Sequence, residues 1–189
     1  VPYLMTLDKV GLMKCWSRFF DAARALANSP VPVAAAISGH NPAGGCVLAL
    51  CCDYRVMTHG PFRIGLNETQ VGLAVPEAIQ YLMRRVVGAQ RAERLIVAGA
   101  MIESEHAHQI GLVDVLCDQA KVVETAKIWL DATLALPSTP MLATRKIARA
   151  DVVNALGSFH DADLEVFVAG WYSADTQAAL KAMMMKLGK

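Results

Sequence analysis

The sequence predicts one α/β domain that ends in a helical carboxy-terminal part. Of the 189 residues, 54% are hydrophobic and 19% are charged, so the chain can bury one substantial core. Short apolar segments typical of strands alternate with amphipathic helical segments in the first two thirds of the chain. From Ala120 onward the pattern is helical throughout. These observations favour an α/β fold over an all-helical or all-strand one.

The chain opens with an amphipathic helix, which a buried strand follows. After Met5, apolar residues recur at intervals of three and four until Asn28, Ser29 and Pro30 interrupt the pattern. We therefore predict a helix that begins near Met5 and stops near Asn28. The next segment, VPVAAAIS, is short and carries two valines and an isoleucine, which favours a buried strand.

The middle of the chain combines short strands with helices. A helix is predicted directly after the glycine pair Gly44 and Gly45, and further strands are predicted in DYRVMTH, FRIGL and LVDVLC. Three helices are predicted in residues 76–87, 89–99 and 104–111. Pro76 suits a first turn, Ser104 is a plausible N-cap, and the last two segments end on glycine.

The carboxy-terminal part reads as a series of helices. It is interrupted at residues 136–138 and again at 157–158, where proline, glycine and serine occur. We predict an α/β core in residues 1–135 and a helical region in residues 136–189. The chain begins at Val1 rather than methionine, and we expect a further amino-terminal segment before it.

Composition excludes several classes of function. Eighteen basic and seventeen acidic residues give a net charge of +1, which argues against a nucleic-acid partner and favours a small-molecule ligand. No apolar run reaches the ~18 residues of a membrane span. The five cysteines are odd in number and lie in apolar surroundings, which indicates reduced thiols in an intracellular protein.

The stretch GHNPAGGCVLAL places a glycine pair at the start of a predicted helix. Gly44 and Gly45 have no Cβ, and the first N–H groups of a helix lack intrahelical partners, so the turn can bind negative charge. A phosphate loop would end in Gly-Lys-Ser/Thr, whereas here Cys46 and Val47 follow. Two readings stay open: a site for an oxyanion, or a tight strand-to-helix turn without a ligand, which is the commoner case.

The second notable stretch is IGLNETQVGLAVPE, which holds a carboxylate in apolar surroundings. Glu68 lies between Leu66 and Val71, and such surroundings raise a carboxyl pKa toward the range of a general base. An exposed turn residue or a helix-capping carboxylate is the commoner role for a glutamate. Glu77 is a second acid, and its first-turn position favours stabilisation of the helix dipole.

Together these two stretches resemble the crotonase, or enoyl-CoA hydratase/isomerase, superfamily. The resemblance extends over nearly the whole chain, through VGAQRAERLIVAGAMIESEHAHQIGLVDVL and LPSTPMLATRKIAR. The segments GHNPAGG and IGLNETQVG are most similar to the mitochondrial-type Δ3,Δ2-enoyl-CoA isomerase branch. The implied fold is a spiral of ββα turns with a helical trimerisation region, of which the first strands would precede Val1.

The resemblance implies roles for five residues. The N–H of Gly44 would be one of two donors that hold the thioester oxygen of an acyl-CoA, and Glu68 would move the proton. Substrate contacts are implied for Ala43, Gly45 and Leu66. Hydratases of the family use a further glutamate at the position of Val47, and one carboxylate suits the transfer of a proton from C2 to C4. The second oxyanion donor is expected before Val1.

The implied activity is isomerisation of 3-enoyl-CoA to 2-enoyl-CoA in unsaturated fatty acid degradation. Coenzyme A enters as part of the substrate, and we expect no cofactor and no metal. The expected assembly is a homotrimer or a dimer of trimers in the bacterial cytoplasm or the mitochondrial matrix, without nucleic acid or membrane partners. Alternatives are hydration, thioester hydrolysis, or a non-catalytic member that binds RNA or protein.

Overall fold

The computed structural model describes residues 2–186 and residue 188. Its helices in the α/β part are α1 (Pro2–Met5), α2 (Lys9–Ala27), α3 (Gly44–Leu50), α4 (Glu77–Val87), α5 (Ala89–Val97) and α6 (Ser104–Gln109). Five helices follow: α7 (Val122–Leu134), α8 (Ser138–Ala148), α9 (Ala150–Gly157), α10 (Asp161–Trp171) and α11 (Ala174–Lys186). The predicted helical character of the chain after Ala120 is confirmed.

The first long helix ends as predicted but starts later than predicted. A separate turn of helix, α1, precedes it, and α2 begins only at Lys9. The cause is Asp8, whose carboxylate accepts a hydrogen bond from the Gly11 N–H and so caps the helix. The cap predicted at Ser104 is also wrong, because Ser104 is the first residue of α6 and its hydroxyl donates to the Gly60 carbonyl.

Six short strands form two small sheets. The first sheet has the order β1-β3-β6 and is parallel throughout, with β1 at Ala34–Ile37, β3 at Tyr54–Thr58 and β6 at Val115–Cys117. The second has the order β2-β4-β5, with β2 at Asn41–Pro42, β4 at Arg63–Gly65 and β5 at Ile102–Glu103. In it β2 and β4 are parallel, and β4 and β5 are antiparallel. The four predicted strands are confirmed, and the two-residue strands β2 and β5 are additional.

A single large core joins the sheets to the helices on both sides. Leu12 and Phe20 of α2 are buried with Val47 of α3 and Leu82 of α4 in one cluster. Phe20 stacks on Phe159 of the carboxy-terminal part, with ring centroids 3.9 Å apart. The core therefore continues from the α/β part into the helical part.

A buried ion-pair cluster also joins the helical part to the first sheet. Asp53, directly before β3, accepts hydrogen bonds from the Arg145 guanidinium of α8 at 2.8 and 2.9 Å. Arg149 lies 3.1 Å from the same carboxylate, and the Val33 N–H donates to it at 2.8 Å. We call Asp53, Arg145 and Arg149 the Asp53 cluster. Among the described helices, none is long and apolar enough to span a bilayer.

Candidate active site

The glycine pair and Glu68 emerge at the same edge of the second sheet. Strands β2 and β4 run parallel, with Pro42 opposite Gly65. The Ala43 N–H donates to the Gly65 carbonyl at 2.9 Å, which holds the two strand ends side by side. One strand end leads into α3 at Gly44, and the other leads within three residues to Glu68. Parallel pairing therefore brings the two sequence motifs together.

The glycine pair forms the first turn of α3, as predicted. The first intrahelical bond runs from the Val47 N–H to the Ala43 carbonyl at 2.9 Å, so the N–H groups of Gly44, Gly45 and Cys46 come before it. The first turn of α3 carries no acidic side chain. These amides are thus available to a partly negative oxygen.

Ala43 has an unusual backbone conformation immediately before these amides. Among residues 2–186 and 188, it alone combines a positive φ with a side chain, at φ 47° and ψ −118°. Such a conformation costs about 1–3 kcal/mol and persists only where the surroundings enforce it. Because the ψ of Ala43 sets the plane of the next peptide, the strained residue fixes the direction of the Gly44 N–H.

Both glycines lie close against neighbouring side chains, although against different ones. A Cβ on Gly44 would lie 3.0 Å from Cε2 of Phe19, whose ring covers this turn. A Cβ on Gly45 would lie only 2.1 Å from Oδ1 of Asn41. Neither Phe19 nor Asn41 was singled out by the sequence, because each contacts the turn only through the tertiary structure.

Glu68 is a buried carboxylate without a full set of partners. It begins a 3-10 turn, Glu68–Val71, and its side chain belongs to a residue that is only 8% exposed. Its Oε2 atom is buried and has no hydrogen-bond partner among the described residues. Burial raises the pKa of Glu68 above its usual value, although a backbone hydrogen bond opposes the shift. The structure thus rules out the exposed turn residue that was the commoner expectation.

The residues around Glu68 are apolar or neutral. Leu66, predicted to contact substrate, is buried in the core cluster, and Val47 is buried in the same cluster. The thiol of Cys46 is fully buried, and burial together with the Glu68 charge raises its pKa. Cys46 therefore stays protonated and does not compete with Glu68 as a base or nucleophile.

The remaining predicted acid, Glu77, has the structural role expected of it. It is the first residue of α4, is exposed, and forms an ion pair with Arg84, which lies about two turns along the helix. Asn67 is a feature that the sequence did not indicate: its Oδ1 atom is buried without a described partner, directly beside Glu68. Among residues 2–186, no three histidine, cysteine or acidic side chains gather as metal ligands would.

A strained turn with available amides thus lies at the same sheet edge as a carboxylate that is kept partly unpaired in the core, and this combination suits acid–base chemistry on an α/β scaffold. Comparison with known families agrees with this class. The family model for enoyl-CoA hydratase/isomerase matches residues 10–188, and the chain belongs to that family.

The curated relatives of the chain include mitochondrial isomerases of this family. The chain is 31% identical over 173 residues to human "Enoyl-CoA delta isomerase 1, mitochondrial" and 31% identical over 173 residues to the mouse protein of that name. These matches cover 91% of this chain and only 57% and 60% of the two relatives, so the chain spans less than two thirds of their length.

The fold matches a solved isomerase closely. The crystal structure of human mitochondrial delta3-delta2-enoyl-CoA isomerase superposes with a TM-score of 0.89 at 29% identity, over 97% of this chain and 71% of that chain. An enoyl-CoA hydratase from Mycobacterium ulcerans gives a TM-score of 0.77 at 21% identity, over 89% of this chain and 72% of that one, and supports the fold alone. The predicted crotonase-like α/β fold is thereby confirmed.

Proposed function

We propose that this chain moves a carbon–carbon double bond within an acyl-CoA thioester, from 3-enoyl-CoA to 2-enoyl-CoA. The observation that carries the proposal is the buried Glu68 carboxylate, which has an unpartnered oxygen at the same sheet edge as the free amides of Gly44 and Gly45. The similarity to mitochondrial enoyl-CoA delta isomerases supports it.

In the proposed reaction Glu68 carries one proton between two carbons. The carboxylate takes a proton from C2, and the electrons of the broken C–H bond form a C1–C2 double bond while the thioester oxygen becomes negative. The Gly44 N–H donates to that oxygen. The carboxylic acid then returns the proton to C4, the carbonyl re-forms, and the double bond comes to lie between C2 and C3.

Two properties of the site suit this reaction. A donor aimed at a developing oxyanion typically contributes ~3 kcal/mol, or roughly a hundredfold in rate. The strain at Ala43 directs the Gly44 amide before substrate arrives, so no reorganisation is needed during the reaction. Burial raises the pKa of Glu68, which brings its basicity closer to that required at neutral pH.

Hydration is the main alternative within the family, and one observation disfavours it. Adding water across a double bond requires a second group to activate the water, and the family's hydratases are expected to place a glutamate at the position of Val47. Val47 is instead buried in the apolar core. For a non-catalytic RNA-binding member, the net charge of +1 offers little attraction to phosphate.

The test is to follow a 3-enoyl-CoA that carries deuterium at C2. We expect 2-enoyl-CoA as product, with part of the deuterium at C4, because the acid formed on Glu68 is shielded from solvent. The Glu68→Gln variant should lose about 10²–10⁴-fold in kcat, the usual contribution of a general base. Glu93→Gln, which removes an exposed carboxylate of α5, is the matched control and should retain the rate.

Two outcomes would contradict the proposal. The first is an undiminished rate in Glu68→Gln, which would assign the proton transfer to another group. The second is formation of 3-hydroxyacyl-CoA from 2-enoyl-CoA by the unmodified chain at a rate exceeding isomerisation, which would make hydration the main activity. Retention of RNA without turnover of any enoyl-CoA would favour the binding alternative.

We also propose that copies of the chain associate as a homotrimer or dimer of trimers. Supporting this, no residue of α8 is fully buried within one chain, and Ile128, Leu134, Leu136 and Ile147 of α7, α8 and their connection are exposed. Sedimentation analysis should give a trimeric or hexameric mass, and a monomer would contradict it. A mitochondrial or bacterial cytoplasmic location and the absence of a cofactor remain predictions.

A further inference from the structure

We propose that Gly170 determines the length of acyl chain that this protein accepts, because it keeps open a cavity beside the candidate site. The cavity has a volume of about 400 Å³ and lies between α10 and the segment that follows Glu68. The inference rests on the proposed function and specifies its substrate class as thioesters of long-chain acids.

The lining of the cavity suits a hydrocarbon. On one side are the apolar residues that follow the 3-10 turn, and on the other are the apolar residues of α10 and the preceding loop, namely Leu73, Val75, Phe159, Val166 and Phe167. Burying a hydrocarbon chain against such side chains raises affinity roughly fourfold for each methylene removed from water. The volume is within the range of small-molecule sites.

Each wall of the cavity is linked to a residue of the candidate site through a short series of contacts. On one side, the Leu73 N–H donates to the Glu68 carbonyl at 3.0 Å. On the other, the ring of Phe167 packs edge-on against Trp16, with centroids 5.0 Å apart, and Trp16 packs against Phe19 at 5.5 Å. Phe19 is the residue whose ring covers Gly44.

The charges at the cavity decide which end of an acyl-CoA can enter. Its ionisable lining residues are Glu77 and Asp163, both exposed carboxylates. Asp163 accepts the His160 N–H near the start of α10, and Glu77 pairs with Arg84. Two carboxylates repel the phosphates of coenzyme A. The hydrocarbon end is therefore the part of the substrate that the cavity fits.

The backbone conformation at Gly170 does not require a glycine. It lies within α10, and its φ is outside the left-handed region that requires glycine. A Cβ there would meet Leu73 Cδ2 at 3.9 Å, an ordinary contact, so an alanine fits without a clash. Any larger side chain would extend into the cavity between Gly170 and Leu73. What the glycine provides is space for a ligand.

The test compares the binding of hexanoyl-CoA and dodecanoyl-CoA by calorimetry. Neither has a double bond to shift, so binding is measured apart from turnover. The unmodified chain should bind dodecanoyl-CoA at least tenfold more tightly. Gly170→Leu should weaken dodecanoyl-CoA binding by roughly tenfold or more and leave hexanoyl-CoA within about twofold, as expected when several methylenes lose a pocket. Ala169→Leu, on the exposed neighbouring position, is the matched control and should leave the ratio unchanged.

Gly170→Ala keeps the test decisive if the leucine variant does not fold. Because alanine is the better helix former, this variant should raise Tm by about 2 °C while it lowers the preference for dodecanoyl-CoA by roughly threefold. A higher Tm with an unchanged preference would overturn the proposal and leave Gly170 a purely structural residue.

Equal affinity of the unmodified chain for the two thioesters, or equal losses for both in Gly170→Leu, would also overturn the proposal. Failure of the proposed function has a different signature. There the dodecanoyl-CoA preference would respond to Gly170 as expected, but 3-dodecenoyl-CoA would not be isomerised.

Discussion

Asp53 and Glu68 are both buried carboxylates, yet the fold treats them in opposite ways. Both oxygens of Asp53 are engaged, by the Arg145 and Arg149 guanidinium groups and by the Val33 N–H. Glu68 has a buried Oε2 atom without a described partner, in a region whose other buried neighbours are apolar. The negative charge of Asp53 is balanced by two guanidinium groups, whereas Glu68 lacks a full set of hydrogen-bond partners.

The difference separates a structural charge from a reactive one. A carboxylate with matched donors links distant parts of a chain, here α8 to the first sheet. A buried carboxylate without them is destabilised as an anion, and it becomes a stronger base. The strained backbone of Ala43 resembles Glu68 in this respect, because both features lower the stability of the fold at the β2–β4 sheet edge.

The largest expected effect is the opposite response of activity and stability to Glu68→Gln. Activity should fall about 10²–10⁴-fold. Burial raises the pKa of Glu68 in the fold above its ordinary 4.5, so ionisation disfavours the folded state. Below pH 4.5 both states are protonated and the two proteins should be equally stable; as pH rises through the raised pKa, the variant should become the more stable. Thermal unfolding between pH 4 and 8 measures this difference.

A wild-type protein that stays more stable than Glu68→Gln at pH 8 would contradict the contrast between Glu68 and Asp53. It would mean that Glu68 has stabilising partners, as Asp53 does. Glu93→Gln is the control for this series too, because it removes a negative charge from the exposed face of α5.

The second effect is a large loss of stability in Asp53→Asn. This change leaves Arg145 and Arg149 buried without a counter-charge, which typically costs about 3–5 kcal/mol in free energy of unfolding. Asp118→Asn, which breaks exposed pairs with His59 and Lys121, should leave it nearly unchanged. Urea unfolding of both variants gives the two values.

Activity in Asp53→Asn sharpens the comparison further. Under conditions where the variant remains folded, kcat should stay close to that of the wild type, because the Asp53 cluster lies at the first sheet rather than at the β2–β4 edge. A loss of kcat comparable to that of Glu68→Gln would contradict the separation of the two carboxylates.

The smallest expected effect is a gain of stability in Ala43→Gly. Glycine adopts a positive φ without the penalty of a Cβ, but it also gains freedom in the unfolded chain, so the net gain should be about 1 kcal/mol, or 2–4 °C in Tm. Because glycine also makes the peptide between residues 43 and 44 more flexible, the Gly44 N–H should be less well directed, and kcat should fall more than KM changes. A fall in Tm would show that Ala43 is not strained.

Local chemistry allowed much of the fold to be predicted. The alternation of short apolar segments with periodic helices predicted four of the six strands, and the glycine pair predicted the start of α3. The missed strands β2 and β5 have two residues each and show no periodicity. The start of α2 was misplaced because apolar spacing continues through the capped turn before Lys9.

The sequence indicated the main residues of the candidate site, but it did not indicate how they are arranged in space. The apolar neighbours of Glu68 indicated burial, and the structure agrees. Whether its oxygen has a partner depends on packing across the core, which no local pattern encodes. The positive φ of Ala43 was invisible because alanine rarely adopts it, and the Asp53 cluster joins residues distant in sequence. The roles of Gly44, Gly45 and Leu66 in substrate contact remain predictions.

The most direct test is a measurement of the Glu68 carboxyl pKa in the folded chain. Infrared difference titration of wild type against Glu68→Gln isolates the carbonyl band of the protonated acid. The predicted result is a midpoint above the ordinary value of 4.5, since burial disfavours the charged form. A midpoint at or below 4.5 would contradict the account, because the fold would then not disfavour the Glu68 anion and Glu68 would be a poor base.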